Sequence, residues 1–184
     1  TLDAPTRRGQ DRPASNADRL ARRAPCRVVL RSGAPMPHTI ELQRVLRAPP
    51  ERVFRAFVTP AAMIKWLPPF GFTAEVLAMD ARVGGRWRMA FTNFSGGGSH
   101  AFGGEYLEVV PGERLVYTSA FDDPGLPGGM TTTVVLEPVL CGTMLRVTQA
   151  GIPEVIPPEM CHLGWQESLA LLAQLVEPEI PAGT

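Results

Sequence analysis

The sequence has little of several residue types on which common functions depend. It contains a single lysine, Lys65, and three cysteines that are widely spaced and form no Cys-x-x-Cys pair. An odd, scattered set of cysteines disfavours a disulfide framework and fits a reducing cytoplasm, where we expect the protein. No apolar run approaches the length of a membrane span. No nucleophile–base pair, phosphate loop or dinucleotide fingerprint stands out, so the sequence has no motif for those chemistries.

The formal net charge is zero, but the charges are unevenly distributed. Residues 1–35 carry eight arginines and three acidic residues, whereas residues 36–184 carry ten basic and fifteen acidic residues. An acidic domain does not attract nucleic acid or an anionic membrane. We therefore expect neither partner and predict a neutral or apolar ligand.

The first 35 residues differ in kind from the remainder of the chain. They mix Arg, Ala, Pro, Asp and Ser without helical or strand periodicity, and no apolar core follows either arginine pair. This composition predicts a disordered or artefactual leader, with a nucleic-acid-binding arm as the alternative. We predict a single domain over residues 36–178 and a short tail over residues 179–184.

The periodicity of the folded part predicts an α+β domain. A strand over 38–47 is followed by Pro50, which suits the first turn of a helix, and a second short helix ends near Trp66. From Phe72 onward the apolar period is two, and the links are short and contain Gly or Pro, which favours antiparallel pairing. A last helix over about 157–176 carries an apolar stripe. The predicted architecture is a curved, seven-stranded antiparallel sheet around a long C-terminal helix, with two short helices between strands 1 and 2.

Several strings, in this order, resemble one known superfamily. They are APPERVFRAF at 48–57, RVGGRW at 82–87, GGEYLEVVP at 103–111, and Gly164-Trp165 leading into the Leu-rich helix. Over about residues 38–177 the chain resembles the Bet v 1-like, helix-grip superfamily, also called START-like or SRPBCC. Within it, the chain is similar to proteins related to the C-terminal domain of the activator of Hsp90 ATPase.

This resemblance implies a deep, mostly apolar cavity between the sheet and the last helix. Members are mainly ligand-binding proteins, and some are enzymes, so the likeness is more informative about fold than about function. The eukaryotic co-chaperone also has an N-terminal domain that engages its chaperone. No part of this sequence corresponds to that domain, which disfavours co-chaperone activity.

The candidate site consists of large side chains on inward strand faces, together with polar groups among them. Taken singly, each aromatic residue is better explained by core packing, His162 by a position at a solvent edge or a helix cap, and His100 by an exposed loop. The functional interpretation is collective, because binding pockets are mostly apolar with a few polar groups. The predicted ligand-binding residues are Trp66, Phe70, Trp87, Met89, Phe91, Asn93, His100, Phe102, Tyr106, Tyr117, His162 and Trp165.

The leading functional prediction is a small protein that binds a hydrophobic or amphipathic molecule in an internal cavity. The alternatives are a chaperone-associated or stress-response interaction domain, and a cyclase- or hydrolase-type enzyme that uses His100 or His162. We expect no cofactor and assign no catalytic residue, and we leave a homodimer open. A metal site at Glu159, Cys161 and His162 is disfavoured, because adjacent helical residues point about 100° apart.

Overall fold

A computed structural model describes residues 37–126 and 128–179. The predicted leader, residues 1–35, lies outside the described residues, as does most of the predicted tail. The described part contains seven strands and three helices, in the predicted order. They are β1 (His38–Leu46), α1 (Pro50–Val58), α2 (Pro60–Trp66), β2 (Phe72–Met79), β3 (Arg86–Asn93), β4 (Ser99–Val110), β5 (Arg114–Phe121), β6 (Met130–Val139), β7 (Gly142–Ile152) and α3 (Pro158–Val176).

The seven strands form one sheet in the order β1-β7-β6-β5-β4-β3-β2, and every neighbouring pair is antiparallel. The strands from β2 to β7 therefore run as a meander. The first strand pairs with the last, so α1 and α2 connect one edge of the sheet to the other. This confirms the predicted fold class, a curved sheet around a long C-terminal helix with two short helices after the first strand.

Proline and glycine set the ends of these elements. Pro50, Pro60 and Pro158 each occupy the first turn of a helix, where the missing N–H has no intrahelical partner to lose. The β3–β4 and β4–β5 turns contain Gly97 and Gly112 at φ values of 69° and 76°. Residues other than glycine rarely adopt this left-handed backbone conformation.

The C-terminal half of α3 covers a solidly packed core. Leu169, Leu172 and Val176 are buried there. The core they join includes Leu46 of β1, Val53 and Phe57 of α1, Trp66 of α2, and Leu145 and Val147 of β7. Fully burying an aliphatic or aromatic side chain contributes about 1.5–3 kcal/mol, so this half supplies much of the stability.

The N-terminal half of α3 carries smaller residues on the side that faces the sheet. Cys161 and Ser168 lie on one face of the helix, and Gly164 and Trp165 lie on the same face because each of them is three or four residues from both. These short side chains do not fill the space above the sheet. A pocket therefore lies between this half of the helix and the central strands.

Candidate functional site

The pocket between α3 and the sheet has a volume of about 260 Å³. Its walls come from the α2–β2 loop, from strands β2 to β7 and from α3, and most of its lining is apolar. None of the described residues that line it is Asp, Glu, Lys or Arg. The lining residues are Leu67, Pro69, Phe72, Trp87, Phe91, His100, Phe102, Tyr117, Ser119, Phe121, Met130, Thr132, Gln149, Cys161, Gly164, Trp165 and Ser168.

One wall is a group of aromatic rings around His100. The imidazole centroid lies 5.9 Å from that of Phe91, 6.0 Å from Phe121, and 6.1 Å from both Phe72 and Phe102. Phe91 and Phe102 meet edge to face, with ring centroids 4.7 Å apart. Edge-to-face pairs at such distances are favourable beyond their burial, so the wall is held in place by its own contacts.

Burial favours the uncharged form of three side chains that line the pocket. It lowers the pKa of His100 below the ordinary value of 6.5, because the charged imidazolium loses water among the phenyl rings. Burial also raises the pKa of the Tyr117 hydroxyl and that of the Cys161 thiol. All three side chains are therefore uncharged at neutral pH, and the pocket presents a neutral surface.

Two indole rings are fixed by hydrogen bonds within the protein. Trp87 Nε1 donates to the backbone oxygen of Thr118 at 3.1 Å, and its ring meets Phe102 and Tyr117 edge to face. Trp165 Nε1 donates to Gln149 Oε1 at 3.1 Å, which ties α3 to β7. Because both indole N–H groups have protein partners, these rings offer the pocket apolar surface in a fixed position.

A row of polar side chains crosses the sheet side of the pocket. In the register, Tyr117 of β5 lies opposite Thr132 of β6, and Thr132 lies opposite Gln149 of β7. The Oγ1 atom of Thr132 is buried and has no hydrogen-bond partner among the described residues. Buried polar groups are rarely left unpaired, so the Thr132 hydroxyl has hydrogen-bonding capacity that the described residues do not use.

Comparison with known proteins agrees with the fold. A family model for activator of Hsp90 ATPase homolog 1-like proteins matches residues 47–177. The chain belongs to this family. This confirms the branch of the superfamily that the sequence strings indicate. A comparison with curated proteins gave no match.

Solved structures of similar proteins come from several bacteria. A crystal structure of a Chromobacterium violaceum protein is 62% identical, with a TM-score of 0.76, and the match covers 77% of this chain and 98% of that chain. A Rhizobium leguminosarum protein is 25% identical, with a TM-score of 0.64 and coverage of 78% and 96%. The solution structure of an AHSA1-like protein from Aeromonas hydrophila, at 22% identity and a TM-score of 0.63, covers 76% and 92% and shares the fold.

The structure brings half of the predicted site residues of this family member together. Six of the twelve line the pocket: Trp87, Phe91, His100, Phe102, Tyr117 and Trp165. They come from β3, β4, β5 and α3, and period-two alternation on the strands places them on the face that α3 covers. Each strand residue is two positions from another inward-facing residue of its own strand.

The other six predicted residues lie elsewhere. Trp66 is fully buried beside Phe57 and donates to the backbone oxygen of Ala56, while Phe70 is 57% exposed on a separate groove. Met89 and Tyr106 are packed within the core.

The remaining two predicted residues, Asn93 and His162, also lie outside the pocket. Asn93 Oδ1 accepts hydrogen bonds from the backbone N–H groups of Ser95 and Gly96, at 2.9 Å each, so it stabilises the β3–β4 turn. His162 lies in a groove between α3 and β1, beside Glu41 and Arg44. Neither side chain lines the pocket.

The sequence prediction omitted several polar residues that line the pocket. Ser119, Thr132 and Gln149 lie on β5, β6 and β7, and Ser168 lies on α3. Alternation with Tyr117 is the signal that places Ser119 on the inner face, and a three-residue step from Trp165 places Ser168 on the same side of α3. Thr132 and Gln149 are recognisable only once the register across three strands is known.

The described residues contain neither a cluster of metal-binding side chains nor a membrane-spanning helix. Across 37–126 and 128–179, no group of three or more His, Cys, Asp or Glu side chains is close enough to hold a metal ion. Within the same ranges, none of the helices has the length and apolar character needed to cross a membrane.

Proposed function

We propose that this protein binds a hydrophobic or amphipathic small molecule in the pocket between α3 and the sheet. The observation that carries the proposal is the pocket itself. It has a volume of about 260 Å³, its lining is mostly apolar and includes several aromatic rings, and its indole rings are fixed by hydrogen bonds to the protein. Ligand sites are typically preformed, concave and apolar with a few polar groups, and this pocket has those properties.

The available driving force is large enough for useful affinity. A flat two-ring molecule and the wall it contacts would together bury about 500 Å² of apolar surface, or about 12 kcal/mol at about 25 cal/mol/Å². Association costs at least about 4–6 kcal/mol of this. The remainder corresponds to dissociation constants in the micromolar range.

Catalysis by a histidine in the pocket is less well supported than ligand binding. An acid–base histidine is usually oriented by a carboxylate or another polar partner. His100 has phenyl rings around it, and none of the described lining residues is acidic. His162, the other candidate, lies in a different groove.

The test uses Gly164, which lines the pocket from α3. A Cβ atom at this position meets nothing within 4 Å, so a longer side chain has room to enter the pocket. Glycine is also unfavourable inside a helix, so replacing it does not weaken α3. Gly164→Leu should therefore fill the site while the protein stays folded.

The experiment is native mass spectrometry of the protein purified from its own host. The wild-type protein should retain a small molecule, and the Gly164→Leu protein should lack it. Gly98→Ala, in the open turn before β4, is the matched control and should retain it. A wild-type protein that is always empty, or a Gly164→Leu protein that keeps the same molecule, would contradict the proposal.

Family membership gives a second candidate, interaction with an Hsp90-type chaperone. Its support is the match to the activator of Hsp90 ATPase homolog 1-like family over residues 47–177. A pull-down with a purified Hsp90-type chaperone separates the two candidates. A complex that forms equally well with wild type and with Gly164→Leu would support the chaperone role, because that role does not need the pocket.

A further inference from the structure

The polar row in the pocket has hydrogen-bonding capacity that the protein does not use. Trp165 Nε1 is a donor only, so the atom of Gln149 that faces it must be the acceptor Oε1. The Gln149 amide nitrogen, with its two donors, therefore points away from the indole. Next to it, Thr132 Oγ1 has no partner among the described residues although it is buried.

Tyr117 is the third member of the row, but it does not provide a hydrogen-bond partner for Thr132 Oγ1. Burial raises the pKa of the Tyr117 hydroxyl, and the neighbouring Thr132 hydroxyl lowers it, so the two groups lie close together. Their geometry nevertheless leaves Thr132 Oγ1 without a hydrogen-bond partner among the described residues. The Thr132 oxygen thus lies between a tyrosine hydroxyl on one strand and an amide on the other. The Thr132 oxygen is buried, so it can bond a ligand only after its side chain turns about χ1 toward the pocket. One ligand oxygen would then have hydrogen-bonding groups on three neighbouring strands.

The lining also determines which charge a ligand can carry. No described lining residue is a carboxylate, ammonium or guanidinium group, and burial keeps His100 neutral at neutral pH. A charged group transferred from water into such a site without a partner is strongly unfavourable. The pocket therefore selects against anions and cations.

The size and walls of the pocket indicate the shape of the ligand. Apolar cavities of about 150 Å³ accept benzene. The present pocket, at about 260 Å³, has room for a second ring. Phe91, Phe102 and Phe121 supply ring edges and faces suited to contact with another aromatic system.

We infer that the pocket selects an uncharged aromatic molecule of about two rings that carries one hydroxyl or carbonyl group, and that the Tyr117–Thr132–Gln149 row binds this oxygen. The inference rests on the proposed function, because it names the class of molecule that the same pocket takes. The rings lie among Phe91, Phe102 and Phe121, while the oxygen lies beside Thr132.

Equilibrium dialysis at pH 7.5 with three matched probes tests this selection. The probes are naphthalene, 2-naphthol and the anion 2-naphthoate, which share one ring system. Wild type should bind 2-naphthol about five-fold more tightly than naphthalene, which corresponds to one net hydrogen bond. It should bind 2-naphthoate at least about ten-fold more weakly than naphthalene, because the carboxylate has no partner.

Variants of the row identify the residues responsible. Thr132→Val keeps the shape of the side chain and should remove most of the preference for 2-naphthol, while naphthalene binding is unchanged. Tyr117→Phe should reduce the same preference. Thr133→Val is the matched control, because this neighbour points to the opposite face of β6 and should leave all three affinities unchanged.

The outcomes distinguish this inference from the proposed function. Equal binding of naphthalene and 2-naphthol, tight binding of 2-naphthoate, or an unchanged preference in Thr132→Val would overturn the inference and leave the proposed function standing. Failure of all three probes would also overturn the inference. The proposed function would then stand if native mass spectrometry finds a retained molecule, and would fail with the inference if the protein is empty.

Discussion

Replacing Gly104 by alanine should destabilise the fold by about 2–6 kcal/mol, the sum of an overpacking cost and a lost hydrogen bond. The usual effect in a strand has the opposite sign, because alanine is ordinarily more favourable than glycine there. At Gly104 a Cβ atom would overlap the backbone oxygen of Thr118 and lie 2.8 Å from its Oγ1. The overlapping atom belongs to the backbone of β5, so no flexible side chain can move to relieve it.

The backbone oxygen of Thr118 also fixes the position of Trp87, which lines the pocket. Thr118 O accepts the indole N–H of Trp87, and Thr118 Oγ1 accepts the backbone N–H of Glu105. Moving β5 away from β4 would break the first bond and leave a buried indole N–H unpaired, which costs about 1–3 kcal/mol. Overpacking itself costs about 1–3 kcal/mol.

Urea unfolding, followed by circular dichroism, measures the free energy of unfolding for Gly104→Ala, wild type and Gly98→Ala. Gly98 has open space around it and a backbone conformation that alanine can adopt, so its variant should differ from wild type by less than about 1 kcal/mol. A Gly104→Ala protein that matches the Gly98→Ala protein would refute the argument. It would mean that the two strands can separate at this position without cost.

Three further substitutions test other parts of the structure. Gly164→Ala should raise the free energy of unfolding by about 1 kcal/mol in urea titrations, because alanine is the better helix residue and its Cβ enters open space. Thr132→Val should raise it by about 1 kcal/mol, because it removes a buried hydroxyl without a partner, and Thr133→Val should not. The lowered pKa of His100 means that the unfolded chain binds this proton more readily, so wild type should lose stability relative to His100→Phe as pH falls below about 6.5. Unfolding at pH 7.5 and pH 5.5 measures the difference, and an identical change in both proteins would contradict the assignment.

Sequence alone predicted the fold because the signals that define it are local. Pro50 and Pro158 mark helix starts within one turn, and the period of two on β3 is visible in Trp87, Met89 and Phe91 without knowledge of any partner strand. Short turns with glycine or proline then permit only antiparallel neighbours. The pairing of β1 with β7 joins strands about 100 residues apart, and no local signal in the sequence predicts it.

The site was predicted less completely because its definition is not local. Alternation identifies Met89 and Phe91 equally as inward-facing residues, but it does not say which of them is fully buried in the core and which lines the pocket. Thr132 and Gln149 are 17 positions apart, and only the register of β6 against β7 makes them neighbours. A pattern of residue types within one strand contains neither kind of information.

The composition of α3 explains why the pocket and the core coexist in one helix. Its last ten residues bury Leu169, Leu172 and Val176 against the sheet, and this packing fixes the helix axis. With the axis held there, the first half does not need to fill its own space, and short side chains at Gly164 and Ser168 leave a void that a fully packed helix would lack. An open pocket costs stability, because its lining has no contacts on one side. A molecule that enters it restores those contacts, so occupancy should raise the free energy of unfolding of wild type in proportion to the logarithm of ligand concentration, and should leave Gly164→Leu unchanged.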